Sequence, residues 1–347
     1  MMNKNIVLFG AGAIGSCIAA YLTREGHEIT VIDPWFAHMV AIQKRGLRVT
    51  DPEGEFTVNL RALHVDQVKD VGMPIDILFL AVKSQDTEWS TRYLAPYLSS
   101  EGFIVSAQNS LNEEIISSVV GPEKTMGLVV SIPSAVYEPG ELLRNSAIGD
   151  RIGFRLGELD GSDTPRLREL AELMSKAGQI EITDNIWGVL WSKLGVNCMV
   201  NSIAGLTGLS LSPMCNNATA RKVMMRIGKE VVTVGEAHGI KFDKIVGVSP
   251  ENFKKLDTEG APVIEEVILK MAPSHGGIRD SRPSLLQDIL KARRSEIDYL
   301  NGLLVRKGKE KGIPTPINQA VVDMMHRLDA GEMKLDPSNL ELFKEYI

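Results

Sequence analysis

The chain has 347 residues, 44% of them apolar and 24% charged, with a formal net charge of −6 at pH 7. That length exceeds one comfortable hydrophobic core and predicts two domains in an ordinary globular composition. The 38 lysines and arginines are dispersed among 44 acidic residues, which argues against nucleic acid as a partner. No apolar run approaches the roughly 20 residues needed to cross a bilayer, and the start lacks a charged-then-apolar leader, so a cytoplasmic protein without a membrane partner is expected.

The first element is the apolar run Ile6-Val7-Leu8-Phe9, a strand that leads into Gly10-Ala11-Gly12-Ala13-Ile14-Gly15-Ser16. GxGxxG alone is a weak signal, but a helical stretch with Ile14, Ile18, Tyr21 and Leu22 on one side follows it. In that setting Gly10 permits the tight turn, Gly12 lets a pyrophosphate approach bare backbone, and Gly15 lets the helix pack on the sheet. The diphosphate would sit at the helix N-terminus, at Ala13 and Ile14, where unpaired N–H groups and the helix dipole favour an anion.

Gly26 stops this helix, and His27 to Asp33 reads as a second strand ending in an acid, 18 residues beyond Gly15. A dinucleotide fold receives the adenine ribose hydroxyls there, although Asp33 also reads as a turn residue before Pro34. A carboxylate at that place accepts from both ribose hydroxyls of NAD and repels the 2′-phosphate of NADP. Pro34, Trp35, Phe36 and Ala37 offer no cation, and His38 and Lys44 lie further along. NAD is the expected cofactor, in preference to NADP.

Leu47 to Val58, broken by Asp51-Pro52-Glu53-Gly54, reads as a strand pair. Ile75 to Val82 is nearly all apolar, as for a parallel strand covered on both faces, and delivers Lys83; Phe103 to Ser106 runs into Gln108-Asn109-Ser110. Open α/β sheets bind ligands outside such strand ends, so Lys83 and Asn109 are cofactor or substrate candidates, with an exposed surface role as the alternative. Gly127 to Ile132 reads as a further strand, and 135–159 as antiparallel strands extending the sheet. Asp163-Thr164-Pro165 caps a helix running to Lys176, and Gln179 to Thr183 is one last strand.

From Asp184 onward the periodicity is helical, over 185–205, 214–238, 250–257, 262–271, 283–310 and 316–329. This places a Rossmann-like α/β domain at 1–184 and an all-helical domain at 185–347. Three scattered cysteines and six histidines without HxH or HExxH spacing predict no metal. Lys193, Asn197 and Asn201 fall at i, i+4 and i+8 on one helix face, opposite Leu190, Leu194 and Met199. Such a face can be merely solvated, yet its helix starts just after the boundary and can lie against a crevice. Glu296, in a second long helix, reads by itself as a surface ion-pair partner.

Taken together, GAGAIGS at 10–16, AVK ending at Lys83, QNS at 108–110, WSKLGVNCMVN at 191–201 and PSLLQDILKARRSEIDYLNG at 283–302 resemble the ketopantoate reductase (2-dehydropantoate 2-reductase) family. The resemblance runs from about residue 5 to about 325, and its last two motifs are far more specific than the glycine loop. It implies a Rossmann domain, a helical domain like that of 6-phosphogluconate dehydrogenase, and reduction of a 2-keto acid to its D (or R) 2-hydroxy acid by NAD(P)H, as in pantothenate biosynthesis. By the same resemblance Lys193 is the general acid and Glu296 its partner carboxylate. Asn197, Asn201 and Ser284 contact substrate, and Lys83 and Asn109 lie beside the nicotinamide ribose and substrate.

Two departures are visible: the family usually has Gly where this chain has Ser110, and its NADP-using members usually carry a basic residue in place of Asp33. The stretch from Gly239 to Pro283 also looks long for the family. Within it His275, Arg279 and Arg282 could form a polar segment over the substrate mouth, or a solvated loop. The expected partner is a small 2-keto acid, with a homodimer left open. Same-fold enzymes acting on another D-2-hydroxy acid or forming opines, and a non-catalytic dinucleotide-binding protein, are the rival readings.

Overall fold

The computed structural model describes residues 4–72, 74–272 and 282–347, and divides the chain into two compact units, 1–186 and 187–347. The first holds strands β1 (Ile6–Phe9), β2 (Ile29–Asp33), β3 (Leu47–Asp51), β4 (Gly54–Val58), β5 (Arg61–His64) and β6 (Ile75–Leu80). It continues with β7 (Leu98–Ser106), β8 (Thr125–Val130), β9 (Ser134–Val136), β10 (Glu141–Arg144), β11 (Ile152–Glu158) and β12 (Gln179–Ile182). Its helices are α1 (Ala13–Arg24), α2 (Phe36–Arg45), α3 (Thr87–Leu94), α4 (Asn112–Val120) and α5 (Pro165–Met174).

The main sheet has eight strands in the order β12-β11-β8-β7-β6-β1-β2-β5. Strands β5, β2, β1, β6, β7 and β8 run parallel, and β11 is antiparallel to β8. The order reverses at β1, which lies between β2 and β6, so the glycine loop leaves the sheet at the switch point where open α/β folds bind ligands. Leu8, Val31, Phe79 and Val105 pack on one face with Ile18 and Leu22 of α1, while Val7, Phe9, Ile32, Leu78 and Leu80 pack on the other. Burial on both faces is why these strands read as unbroken apolar runs.

Of the strands expected over 135–159 to extend this sheet, only β11 does so. Strands β9 and β10 join the 47–58 hairpin in a second sheet, ordered β4-β3-β10-β9. Alternation tells that a segment is a strand but not which sheet it joins, and here packing on α1 decides. The Tyr21 ring of α1 meets Phe56 of β4 edge-on at 5.4 Å, and the turn at Gly140, with φ of +79°, hands its carbonyl to the Arg48 N–H of β3.

The second unit continues α6 (Ile186–Val196) into α7 (Ser202–Thr207), followed by α8 (Leu211–Asn216), α9 (Ala218–Ala237), α10 (Pro250–Lys254) and α11 (Ala261–Met271). It ends with α12 (Ser284–Leu290), α13 (Asn301–Glu310) and α14 (Pro316–Asp329). Several of the expected single helices are interrupted, and 214–238 breaks at Asn217, whose side chain caps α9. Between α6 and α7, Asn197–Asn201 forms a π-helical turn. The stretch 283–310 breaks after α12, where Ala292 takes φ of +51° and the Arg293 N–H reaches back to the Asp288 carbonyl, a left-handed helix ending without the usual glycine. No described helix is long and apolar enough to cross a membrane.

Candidate active site

At the glycine loop the residue types follow from the backbone. Gly10 has φ of +101°, and a Cβ there would lie 2.6 Å from the Ala81 carbonyl carbon at the end of β6. One on Gly15 would lie 2.0 Å from the Gly10 carbonyl oxygen, whereas a Cβ on Gly12 would meet nothing within 4 Å. Thus two glycines close the turn and the third opens it. Helix α1 begins at Ala13 with no side-chain cap and no acid in its first turn, and Ile14 packs partly on the core. A bare, uncapped helix start facing open space is a setting for an anion such as a diphosphate.

Asp33, half-buried at the end of β2, accepts the Ala11 N–H at 2.6 Å and the Trp35 N–H at 2.7 Å. Its carboxylate is thereby fixed against the loop. His38 is no candidate for meeting a 2′-phosphate. It is fully buried behind the loop, where Nδ1 accepts the Gly140 N–H at 2.9 Å and Nε2 lies 3.3 Å from the Ser16 hydroxyl. Burial lowers its pKa to about 4, so it is neutral at physiological pH. Sequence reasoning missed His64, which pairs with Asp33 in the β2–β5 register and holds the Pro34 carbonyl at 3.2 Å.

Lys83 follows β6 and Asn109 follows β7, both half-buried, and side chains around them cross-link the two strand ends. Gln108 Nε2 donates to the Val82 carbonyl at 2.9 Å and to Thr87 Oγ1 at 2.8 Å; Asn112 Nδ2 donates to the Asn109 carbonyl at 2.6 Å and to Ser84 Oγ at 3.1 Å. Ser110 adopts φ of +79°, a conformation suited to glycine, so the departure seen in the sequence carries backbone strain.

In the helical unit the structure brings Asn197, Asn201 and Ser284 together: Asn201 Nδ2 donates to Asn197 Oδ1 and to Ser284 Oγ, both at 3.1 Å. Lys193 sits one turn earlier, half-buried on α6. Gly205 lets α12 reach this place, because a Cβ there would lie 2.8 Å from Leu285. Glu296 is buried, at 5% exposure, and is not the surface residue that it resembled in isolation.

The π turn under the asparagines has a support that sequence reasoning missed. Asn301 Nδ2 donates to the Cys198 carbonyl at 3.3 Å and to Asn318 Oδ1 at 2.8 Å, and Asn318 Nδ2 donates to Glu230 at 2.6 Å. The signal available was Asn301 itself, a polar residue in an otherwise apolar stretch of a quoted motif. His275 and Arg279 lie outside the described residues; Arg282 is exposed, and its carbonyl accepts from Gln287 at 2.9 Å. Among the described residues no group of three or more His, Cys, Asp or Glu side chains is placed to hold a metal ion.

The glycine loop of the first unit is shaped for a nucleotide, and the protein is an oxidoreductase acting on CH–OH groups. It belongs to the ketopantoate reductase PanE/ApbA family, matching the family over residues 6–161 and its C-terminal part over 185–329. The chain is 30% identical over 345 residues to the 2-dehydropantoate 2-reductase of Mesorhizobium japonicum, which covers 93% of this chain and 97% of the relative. It is similar to the crystal structure of a PanE/ApbA family ketopantoate reductase from Ralstonia eutropha, with TM-score 0.78, 26% identity and coverage of 94% and 99%. It shares the fold of D-mandelate dehydrogenase, solved with NADH and anilino(oxo)acetate, with TM-score 0.79, 23% identity and coverage of 94% and 99%.

Proposed function

We propose that the protein reduces a 2-keto acid, ketopantoate or a related branched one, to the D-2-hydroxy acid with NADH. The observation that carries this reading is the Asn201 amide joined to both Asn197, one turn beyond Lys193, and Ser284. A cation followed by a cluster of neutral donors suits a substrate with one carbonyl to be polarised and a carboxylate and hydroxyls to be held. The glycine loop, the uncapped start of α1 and the fixed Asp33 carboxylate fit a dinucleotide whose adenine ribose is not phosphorylated.

When bound, the nicotinamide supplies hydride to the keto carbon. The Lys193 ammonium stabilises charge developing on the keto oxygen and gives it a proton, and Glu296 orients that ammonium. Asn197, Asn201 and Ser284 hold the substrate carboxylate and neighbouring hydroxyls; Lys83 and Asn109 serve the nicotinamide ribose and the substrate beside it. The test is oxidation of NADH and NADPH over a panel of 2-keto acids, ketopantoate and aryl keto acids included, with and without amines. Turnover only with an amine would make this an opine-forming enzyme. NADH binding without turnover on any keto acid would make it a dinucleotide-binding protein without chemistry.

A further inference from the structure

His38 of α2 is fully buried, and both of its ring nitrogens are engaged. Nδ1 accepts the Gly140 N–H at 2.9 Å, which requires a ring nitrogen without a proton. The one proton of the neutral ring is therefore on Nε2, which faces the Ser16 hydroxyl at 3.3 Å and donates to it. Ser16, buried on α1, gives its own hydroxyl proton to the Ala11 carbonyl at 2.8 Å. The bonds thus run in one direction, from Gly140 through His38 and Ser16 to Ala11. Stacked on the imidazole at 4.9 Å with the planes 15° apart, the Trp35 ring keeps it in this plane.

Ala11 is held on both sides, because its N–H goes to the Asp33 carboxylate at 2.6 Å while its carbonyl takes the Ser16 proton. A trans peptide is planar, and its N–H points opposite to its C=O. Drawing the Ala11 carbonyl toward Ser16 therefore turns the N–H of Gly12, in the same peptide unit, away from these buried side chains, at the loop glycine where a Cβ would meet nothing within 4 Å. If that peptide turned over, a carbonyl oxygen would stand where an arriving diphosphate needs a donor. The other tautomer of His38 would invite this, since an unprotonated Nε2 accepts the Ser16 proton and takes it from Ala11. What excludes it is the Gly140 N–H, delivered by the turn between β9 and β10, whose carbonyl is in turn tied to the Arg48 N–H of β3 at 3.0 Å.

We propose that His38 and Ser16 are positioning residues for the cofactor diphosphate: the second sheet sets the tautomer of His38, and His38 and Ser16 hold the Ala11–Gly12 peptide with its N–H toward the anion. This rests on the dinucleotide reading above. Both side chains are buried and act through the backbone of the loop.

The test is the dissociation constant of NADH and of NADPH, read by nicotinamide fluorescence without substrate, beside thermal melts, for wild type, Ser16→Ala, His38→Asn, His38→Gln and the double variant Ser16→Ala/His38→Asn. Ser16→Ala should weaken binding of the preferred nucleotide about tenfold, the worth of one buried hydrogen bond. His38→Asn keeps an acceptor near the place of Nδ1 and loses the Nε2 donor, so it should weaken binding with little change in Tm. His38→Gln keeps a donor near the place of Nε2 and loses the acceptor, so it should lower Tm and bind more tightly than His38→Asn. In the Ser16→Ala background His38→Asn should have no further effect on affinity, because His38 acts through Ser16. Ser16→Ala binding as tightly as wild type overturns the proposal, as does a His38→Asn loss that persists in that background, or affinities that follow Tm across the variants. A wild type that binds neither nucleotide overturns it together with the dinucleotide reading, whereas tight binding left unchanged by these substitutions overturns the proposal alone.

Discussion

The Asp33 carboxylate accepts the Ala11 backbone N–H at 2.6 Å. The residue proposed to receive the adenine ribose therefore also ties the second strand to the glycine loop, and cofactor choice and loop structure are linked in one side chain. If a like charge at this place costs about 2 kcal/mol, NAD is preferred over NADP by roughly 30-fold in kcat/KM. Asp33→Arg should narrow or invert the ratio and also lower Tm, since it removes the acceptor of two backbone N–H groups; Asp33→Asn, which keeps one acceptor, should cost less. Steady-state kinetics with both cofactors and one substrate, beside thermal melts, check this, and a wild type preferring NADPH would remove Asp33 from the ribose site.

Lys193→Ala should lose about 10²- to 10⁴-fold in kcat with a smaller change in NADH affinity, because the ammonium acts on charge that appears mainly in the transition state. Glu296→Gln should slow turnover less. Near wild-type kcat in Lys193→Ala on its best substrate would exclude this lysine from the reaction.

Ser110, at φ of +79°, gives a stability prediction. The left-handed conformation costs a non-glycine residue about 1–2 kcal/mol, and glycine's larger unfolded-state entropy returns about 0.5–1 kcal/mol of that. Ser110→Gly should therefore raise the unfolding free energy by roughly 0.5 kcal/mol, measured by urea denaturation. A net loss would show that the serine side chain contributes more than its backbone strain costs.

Glu113, fully buried in the first turn of α4, predicts a pH-dependent stability whose sign follows from the pKa of about 8 to which burial raises it. Between the usual glutamate range near 4.3 and that value, the unfolded chain has released the proton that the folded chain keeps, so stability falls as pH rises. The loss is up to about 1.4 kcal/mol per pH unit for one such group, and it stops above the folded pKa. Glu113→Gln should remove this slope, so its advantage over wild type in chemical denaturation should grow from pH 5 to pH 8. Parallel curves for the two proteins would show that Glu113 ionises in the fold as it does in water.

The glycine loop was legible in sequence because a closed turn forbids side chains at Gly10 and Gly15, and that prohibition is written in residue type. Strand ends were legible too, since apolar runs stop where the sheet stops, which located Lys83 and Asn109. The π turn was not, because its support comes from Asn301, far along the chain, bonding the Cys198 carbonyl. Nor was the end of α12, where Ala292 takes the conformation that glycine would have announced. Nothing in the sequence sets Glu113 apart from Glu114 beside it; its burial does.

The π turn at Asn197–Asn201 makes the length of this segment as important as its composition. A π turn winds more residues into one turn than the roughly 3.6 of an α-helix, so it takes up an added residue locally and spares α7 the rotation of about 100° that one more α-helical residue would impose. Asn201 thereby stays on Ser284. Within these five residues a change of length is met by the turn widening or relaxing, whereas the same change in α6 or α7 would turn every residue beyond it to another face.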